Sequence, residues 1–183
     1  MPAFAQTSDN FSGFKATALV GFDRVNLQAD GESEGRSGFA YGGALGYDRD
    51  LGRVVVGAEA EIMGATTKYR EAGVNGTLKA GRDLYVGARL GGYMGENVLF
   101  YVKGGYTNAR ATIEGTVSGI TASVSDNLDG WRIGAGADIA LPGKLYGRLE
   151  YRYSAYNNIK FQGIATDLDM KRHQVLAGVG YRF

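Results

Sequence analysis

The stretch Trp131-Arg132-Ile133-Gly134-Ala135-Gly136-Ala137-Asp138-Ile139-Ala140-Leu141, then Pro142-Gly143-Lys144, then Leu145-Tyr146-Gly147-Arg148-Leu149-Glu150-Tyr151-Arg152-Tyr153, decides the fold. In both arms apolarity changes residue by residue, the period of a strand whose side chains point to opposite faces. One face reads Trp131, Ile133, Ala135, Ala137, Ile139 and Leu141, then Leu145, Gly147, Leu149, Tyr151 and Tyr153. The other carries Arg132, Asp138, Arg148, Glu150 and Arg152 among Gly134, Gly136 and Tyr146. The short Pro-Gly connection between two alternating runs predicts an antiparallel hairpin.

Outward from this hairpin the pattern repeats. Alternating segments fall at roughly 13–24, 38–49, 53–63, 83–94, 98–108, 130–141, 144–154 and 173–183. Their connections are short at Asp48–Arg53, Met94–Asn97 and Pro142–Lys144, and long at 25–37, 64–82, 109–129 and 155–172. Short and long connections alternate strictly. An up-and-down meander then puts every short turn at one end and every long loop at the other, the asymmetry of outer-membrane barrels. The expected fold is all-β: an eight-stranded antiparallel up-and-down transmembrane β-barrel.

The polarity of the two faces sets which one points inward. The apolar face carries large side chains throughout, among them Phe14, Phe22, Leu45, Val56, Ile62, Leu90, Val102, Ile133, Leu149 and Val179, and no charge. The opposite face carries Lys15, Asp23, Asp48, Glu59, Glu61, Arg89, Lys103, Arg132, Asp138, Arg148, Glu150, Arg152 and Arg182, with most remaining positions Gly, Ala or Tyr. An eight-stranded barrel has an interior just wide enough to be filled by side chains. Glycine beside long charged groups suits that narrow lumen better than a solvated exterior, so the apolar face is read as lipid-facing. Aromatic residues support this reading. Phe22, Phe39, Tyr41, Tyr106, Trp131, Tyr151 and Tyr153 fall toward the long-loop end, and Phe14, Tyr47, Phe100, Tyr181 and Phe183 toward the short-turn end. Two such belts mark the two membrane–water interfaces. In hydrocarbon every backbone N–H and C=O needs a partner, so the sheet must close.

Composition agrees and excludes several classes. Thirty glycines and two prolines contrast with roughly 13 and 9 expected at average usage. A net charge of +1 without a basic run argues against nucleic-acid binding. The absence of cysteine rules out a disulfide scaffold, a cysteine nucleophile and cysteine-bound zinc. Apolar runs such as Val54-Val55-Val56 are far below the ~20 residues of a membrane helix. At the start, Ala3-Phe4-Ala5 before Gln6 fits the small-x-small pattern of a signal-peptidase cut. Residues 1–12 are therefore read as a signal-peptide remnant and periplasmic N-terminal segment, and 13–183 as the barrel.

Several stretches together resemble a known family. They are Tyr41-Gly42-Gly43-Ala44-Leu45-Gly46-Tyr47 with Val56-Gly57-Ala58-Glu59, Arg89-Leu90-Gly91 with Tyr101-Val102-Lys103-Gly104-Gly105-Tyr106, Gly130-Trp131 through Gly136, Leu149-Glu150-Tyr151-Arg152-Tyr153, and Gly178-Val179-Gly180-Tyr181-Arg182-Phe183. Their order and spacing are similar to the outer-membrane β-barrel domain family, the porin-family group of opacity-like proteins and α-proteobacterial surface antigens. The resemblance covers residues 13–183. It implies location in the outer membrane of a Gram-negative bacterium, a structural, antigenic or adhesive role, and no shared catalytic residues. It also implies a terminal strand, ending in Phe183, that is read by the barrel-assembly machinery.

Each candidate site in the sequence also has a plain structural reading. The inward set Glu59, Glu61, Arg89, Lys103, Arg132, Asp138, Arg148, Glu150, Arg152 and Arg182 reads as a salt-bridged plug, because unpaired buried charge is costly and Tyr85, Tyr93, Tyr101 and Tyr146 share the face. The competing reading is an ion path. Glu59 and Glu61 stand about 7 Å apart along a strand, and nearby bases favour ion pairing over acid–base catalysis. His173, the single histidine, reads as an interface residue. Gly134-Ala135-Gly136 has no third glycine and no following helix, so a nucleotide site is not supported. No catalytic residue, cofactor or metal is expected. The loops, with Asp30, Glu32 and Glu34 in the first and Lys68, Arg70 and Lys79 in the second, are where partners would sit. Expected partners are outer-membrane lipid, lipopolysaccharide and host or surface proteins. A small-solute porin and a soluble lipocalin-like ligand-binding barrel stand as alternatives.

Overall fold

The computed structural model describes residues 11–183 except 30–31, 67, 71–75, 118–119, 157–158, 162–163 and 167–168, with side chains also left out at 27–36, 67–81, 111–126 and 157–170. The proposed leader cut at Ala5 lies outside the described residues. Eleven strands follow in order: β1 (Gly13–Ala29), β2 (Glu32–Asp50), β3 (Val54–Ala65), β4 (Lys68–Arg70), β5 (Gly76–Met94), β6 (Val98–Val117), β7 (Ile120–Ala140), β8 (Leu145–Tyr156), β9 (Ile159–Phe161), β10 (Ile164–Thr166) and β11 (Asp169–Arg182).

Each long strand pairs antiparallel with its chain neighbour, β1 pairs with β11, and β3 pairs with β5, so eight strands close into one ring. The short β4 adds to β5, and β9 with β10 forms a separate two-stranded hairpin. A walk around the ladder from Lys15 passes Gly46, Glu59, Gly87, Gly105, Arg132, Ser154 and Arg172, and returns to β1 at Val25, so the offset is 25 − 15 = 10 residues. With ~3.3 Å per residue and ~4.8 Å between strands, that offset tilts the strands by about 41° and gives a backbone radius of about 8 Å. Such a cylinder holds side chains and little else. The three short turns each place one glycine at positive φ: Gly52, Gly95 and Gly143. A Cβ is disfavoured there.

The outer wall is apolar. Leu45 (67% exposed), Val102 (57%) and Ile133 (51%) all point away from the axis. A water-soluble barrel would bury these groups, so the lipocalin-like alternative falls. Resolved along the axis with the same spacings, the rings of Phe14, Tyr47, Phe100 and Tyr181 share one level. Those of Phe22, Phe39, Tyr41, Tyr106, Trp131 and Tyr153 lie about 15–20 Å higher. Neighbouring rings meet edge-on or tilted at 4.9 Å (Phe14–Tyr47), 6.3 Å (Phe22–Phe39) and 5.5 Å (Trp131–Tyr153).

The strands run further than the alternation predicted. β1 and β2 stay paired to Ala29 and Glu32, and β6 and β7 to Val117 and Ile120. Connections expected as loops at 25–37 and 109–129 are thus largely two-stranded arms beyond the apolar band. Above lipid neither face need be apolar, so the period-two signal stops while the backbone ladder continues. The interior also differs in part from a surface of glycine and charge. Leu19, Ala40, Ala44, Met63 and Leu176 form a buried apolar cluster along β1, β2, β3 and β11. Phe11, Val55 and Leu99, with Tyr93 and Ala140 against them, fill the short-turn mouth.

Candidate functional site

The inward face of β3, β5, β6, β7 and β8 concentrates charge on one side of the lumen. Period two makes this possible: Glu59 and Glu61 on β3, Arg89 on β5, Lys103 on β6, Arg132 and Asp138 on β7, and Arg148, Glu150 and Arg152 on β8 all point to the axis and are buried. Burial strips these groups of water, so each must find a counter-charge.

Near the short-turn end Lys15 donates to Asp48 at 2.6 Å. Arg89 reaches Asp138 at 2.8 Å. Arg148 grips Asp138 through Nε (2.8 Å) and Nη2 (3.0 Å), and Glu59 through Nη1 (2.7 Å). In the middle tier the Lys103 ammonium lies 2.9 Å from Glu59 and 2.7 Å from Glu150, and also touches Glu61. Arg152 binds Glu61 at 2.9 Å and Glu150. Tyr101 donates its hydroxyl to Glu150. In the upper tier Arg132 bridges Glu61 (3.3 Å) and Asp83, and Arg172 bridges Asp23 and Asp83, each at 2.7 Å. Among the described residues, seven bases (Lys15, Arg89, Lys103, Arg132, Arg148, Arg152, Arg172) thus meet seven acids (Asp23, Asp48, Glu59, Glu61, Asp83, Asp138, Glu150).

Aromatic faces complete the packing. Arg89 stacks over the Tyr101 ring at 4.0 Å, Arg148 lies 5.1 Å from the same ring, and Lys103 sits 5.0 Å from Tyr85. A cation over a ring face is stabilised by the ring quadrupole, and more so when dehydrated. Tyr146 meets the Thr17 hydroxyl at 2.5 Å across the lumen.

Among the described residues one predicted member, Arg182, makes no ion pair with this network. Arg182 stacks 4.9 Å over Phe11 and donates to the Leu145 carbonyl at 3.2 Å, at the short-turn mouth. Two members escaped the sequence reading, Asp83 and Arg172. Both keep the inward parity of their strands, Asp83 with Tyr85 and Arg89, and Arg172 with Gln174. They sit at segment edges, where the apolar partner face had already given way to polar residues.

The carboxylates of Glu59, Glu61 and Glu150 approach within 4.8 Å of one another, a spacing that could suit a metal ion. The Lys103 ammonium stands in contact with all three and supplies the cation itself. Glu59 and Glu61 are held by Arg148, Lys103, Arg152 and Arg132. His173 points outward at the upper girdle, its Nδ1 2.7 Å from the Tyr151 hydroxyl and its ring 5.1 Å from Tyr153. The predicted girdle aromatics Phe22, Phe39, Tyr41, Tyr47, Phe100, Tyr106, Trp131, Tyr151, Tyr181 and Phe183 are exposed on the outer wall, and Tyr153 is half-buried against Trp131. Asp30, Glu32, Glu34, Lys68, Arg70 and Lys79 lie where side chains are outside the description.

Comparison with known proteins fits this geometry. A family profile described as "Outer membrane protein beta-barrel domain" matches residues 1–183. The 25 kDa outer-membrane immunogenic protein of Brucella canis is 26% identical over 144 residues, 78% of this chain and 64% of that protein. Its counterpart in Brucella suis is also 26% identical, over 151 residues, with the same coverage. The chain therefore spans about 64% of the length of these relatives. Among solved structures, Neisserial surface protein A aligns with a TM-score of 0.60 at 16% identity, covering 94% of this chain and 98% of that one. The attachment invasion locus protein of Yersinia pestis aligns at 0.56 with 18% identity, covering 94% and 100%. At these identities the two structures speak to the barrel fold alone.

Proposed function

Since the chain belongs to the outer membrane protein β-barrel domain family, we propose that its barrel is an inert anchor and that its work is done by the long hairpins, held on the external side. The observation that carries this reading is the lumen, where seven acids are matched by seven bases and by buried tyrosine rings. An ion crossing it would have to break several buried pairs, each expensive to separate. The role left to the chain is surface contact, of the adhesin or antigen kind, through the β1–β2, β3–β5, β6–β7 and β8–β11 connections. The immunogenic label of the Brucella relatives supports that direction. No catalytic role is proposed. Outer-membrane lipid, lipopolysaccharide and a host or surface protein are the proposed partners. The β11 strand, with Val175, Val179, Tyr181 and Phe183 outward, is proposed as the segment read by the barrel-assembly machinery.

The test is planar-bilayer conductance of purified protein whose SDS mobility shifts on heating. An ion-tight trace supports the plug. Steady single-channel steps would favour the small-solute porin instead.

A further inference from the structure

The outer wall carries cations at one level. Arg24 on β1, Arg82 on β5, Arg110 on β6 and Lys171 on β11 keep the outward parity of the girdle aromatics. With the axial spacings used above, all four fall within about 3 Å of the same height, some 5 Å above the upper aromatic girdle. Their strand positions divide them into two pairs on opposite sides of the cylinder.

The Arg82–Arg110 pair is the better defined. The β5–β6 register passes from Asp83↔Ala109 to Ala80↔Ala111, so Gly81 and Arg82 together oppose Arg110 in a bulge. The Asp83↔Ala109 register, continued by one residue, already faces Arg82 with Arg110. That register sets two exposed guanidinium side chains across from each other, an arrangement that repels. Among the described residues no acid pairs with either. Asp129, the outward acid of this level, is already held by the Tyr106 hydroxyl and by Asn108 at 2.6 Å. In the lumen every guanidinium of the network meets a carboxylate; on the rim two face each other with none among the described residues.

Directly beneath Arg82 the wall is hollow. A depression of about 430 Å³ runs from Arg82 past Gly64 and Tyr41 to Ile62 and Gly43. It continues into a second, of about 680 Å³, over Gly43, Ala60, Ala18 and Ala16. The run of glycine and alanine on β1, β2 and β3 forms an apolar furrow down the lipid face, headed by a cation.

We infer that Arg82 and Arg110 bind a phosphate of an outer-leaflet phosphoglycolipid of the lipid A type, one acyl chain of which lies in the Gly64–Ala60–Ala18 furrow. Guanidinium pairs take phosphate oxygens bidentately, and the Arg fork suits that group better than lysine. Headgroup phosphates lie just beyond the interfacial aromatic belt, the level at which the arginines stand. This site rests on the reading that the long hairpins are external.

The test titrates the detergent-purified barrel with bis-phosphorylated lipid A, with the same lipid stripped of both phosphates, and with inorganic phosphate, counting bound molecules by native mass spectrometry. Heat-modifiable SDS mobility checks that each variant is folded. The bis-phosphorylated lipid is expected to bind at least tenfold more tightly than the stripped one, and Arg82→Ala with Arg110→Ala to abolish that preference. Ala60→Phe, which fills the furrow, should weaken lipid A at least threefold and leave inorganic phosphate unchanged. Lys144→Ala, at the opposite end, should change nothing. Equal affinity for both lipids, or a preference that survives loss of both arginines, overturns the site. Inorganic phosphate competing at the same concentration as lipid A, with Ala60→Phe silent, also overturns it, leaving a plain anion site. Failure here with an ion-tight barrel leaves the proposed anchor standing. A conducting barrel that still discriminates phosphate removes the plug and keeps the lipid site.

Discussion

Replacing Lys103 by methionine tests the lumen most directly. Methionine keeps much of the unbranched stem and removes the ammonium, so packing against Tyr85 is largely preserved. What is lost is the cation shared by Glu59, Glu61 and Glu150, whose carboxylates lie within 4.8 Å of one another. Two of its contacts measure 2.9 and 2.7 Å. At about 3 Å and an effective dielectric near 20, each is worth about 5 kcal/mol before desolvation. The ammonium's own dehydration offsets a large part of that sum, and Arg148 and Arg152 retain contacts with the three acids. The expected net loss is about 3–5 kcal/mol, the range for breaking a buried pair from one side. The assay is equilibrium urea unfolding in lipid vesicles, followed by the fluorescence of Trp131, the single tryptophan. Glu61→Gln removes one of the crowded charges. Combined with Lys103→Met, it should cost at least 1 kcal/mol less than the sum of the single changes, as expected for residues in one network. If Lys103→Met shifts stability by under about 0.5 kcal/mol, or if the two changes simply add, the ion-paired lumen is not what holds this interior together.

Further outcomes follow from the wall, the mouth and the glycines. Val102→Arg places a charge on the lipid face near the middle of the apolar band and should cost about 2–4 kcal/mol in the same unfolding assay, whereas Lys144→Arg in the short turn should be silent. Phe11→Ala empties the cluster with Val55 and Leu99 and removes the ring under Arg182; a loss of about 3–5 kcal/mol is expected, read by the same urea midpoint. Gly105→Ala would drive a Cβ onto the Val86 and Gly87 backbone of the neighbouring strand. Overpacking of that kind costs about 1–3 kcal/mol, and here the obstacle is backbone that cannot rotate away, so a lower yield of the heat-modifiable form is expected.

The barrel was legible in the sequence because lipid enforces a strict rule. Where a strand crosses hydrocarbon, every second residue must be apolar, and Ile133, Ala135, Ala137 and Ile139 opposite Arg132 and Asp138 show both the strand and its polarity. Connection lengths gave the meander and its two unlike ends. The rule lapses above the membrane, which is why the arms of β1–β2 and β6–β7 read as loops, and why Asp83 and Arg172 at the segment edges went unseen. Parity named most of the inward charges but could not pair them. Pairing depends on the ten-residue offset around the ring, which brings Glu59 of β3 against Arg148 of β8, 89 residues away. The β5–β6 register that sets Arg82 opposite Arg110 leaves no mark in the alternation either. The solvent around each strand writes itself into local sequence, whereas contacts across a closed cylinder are fixed only when register, tilt and closure are satisfied together.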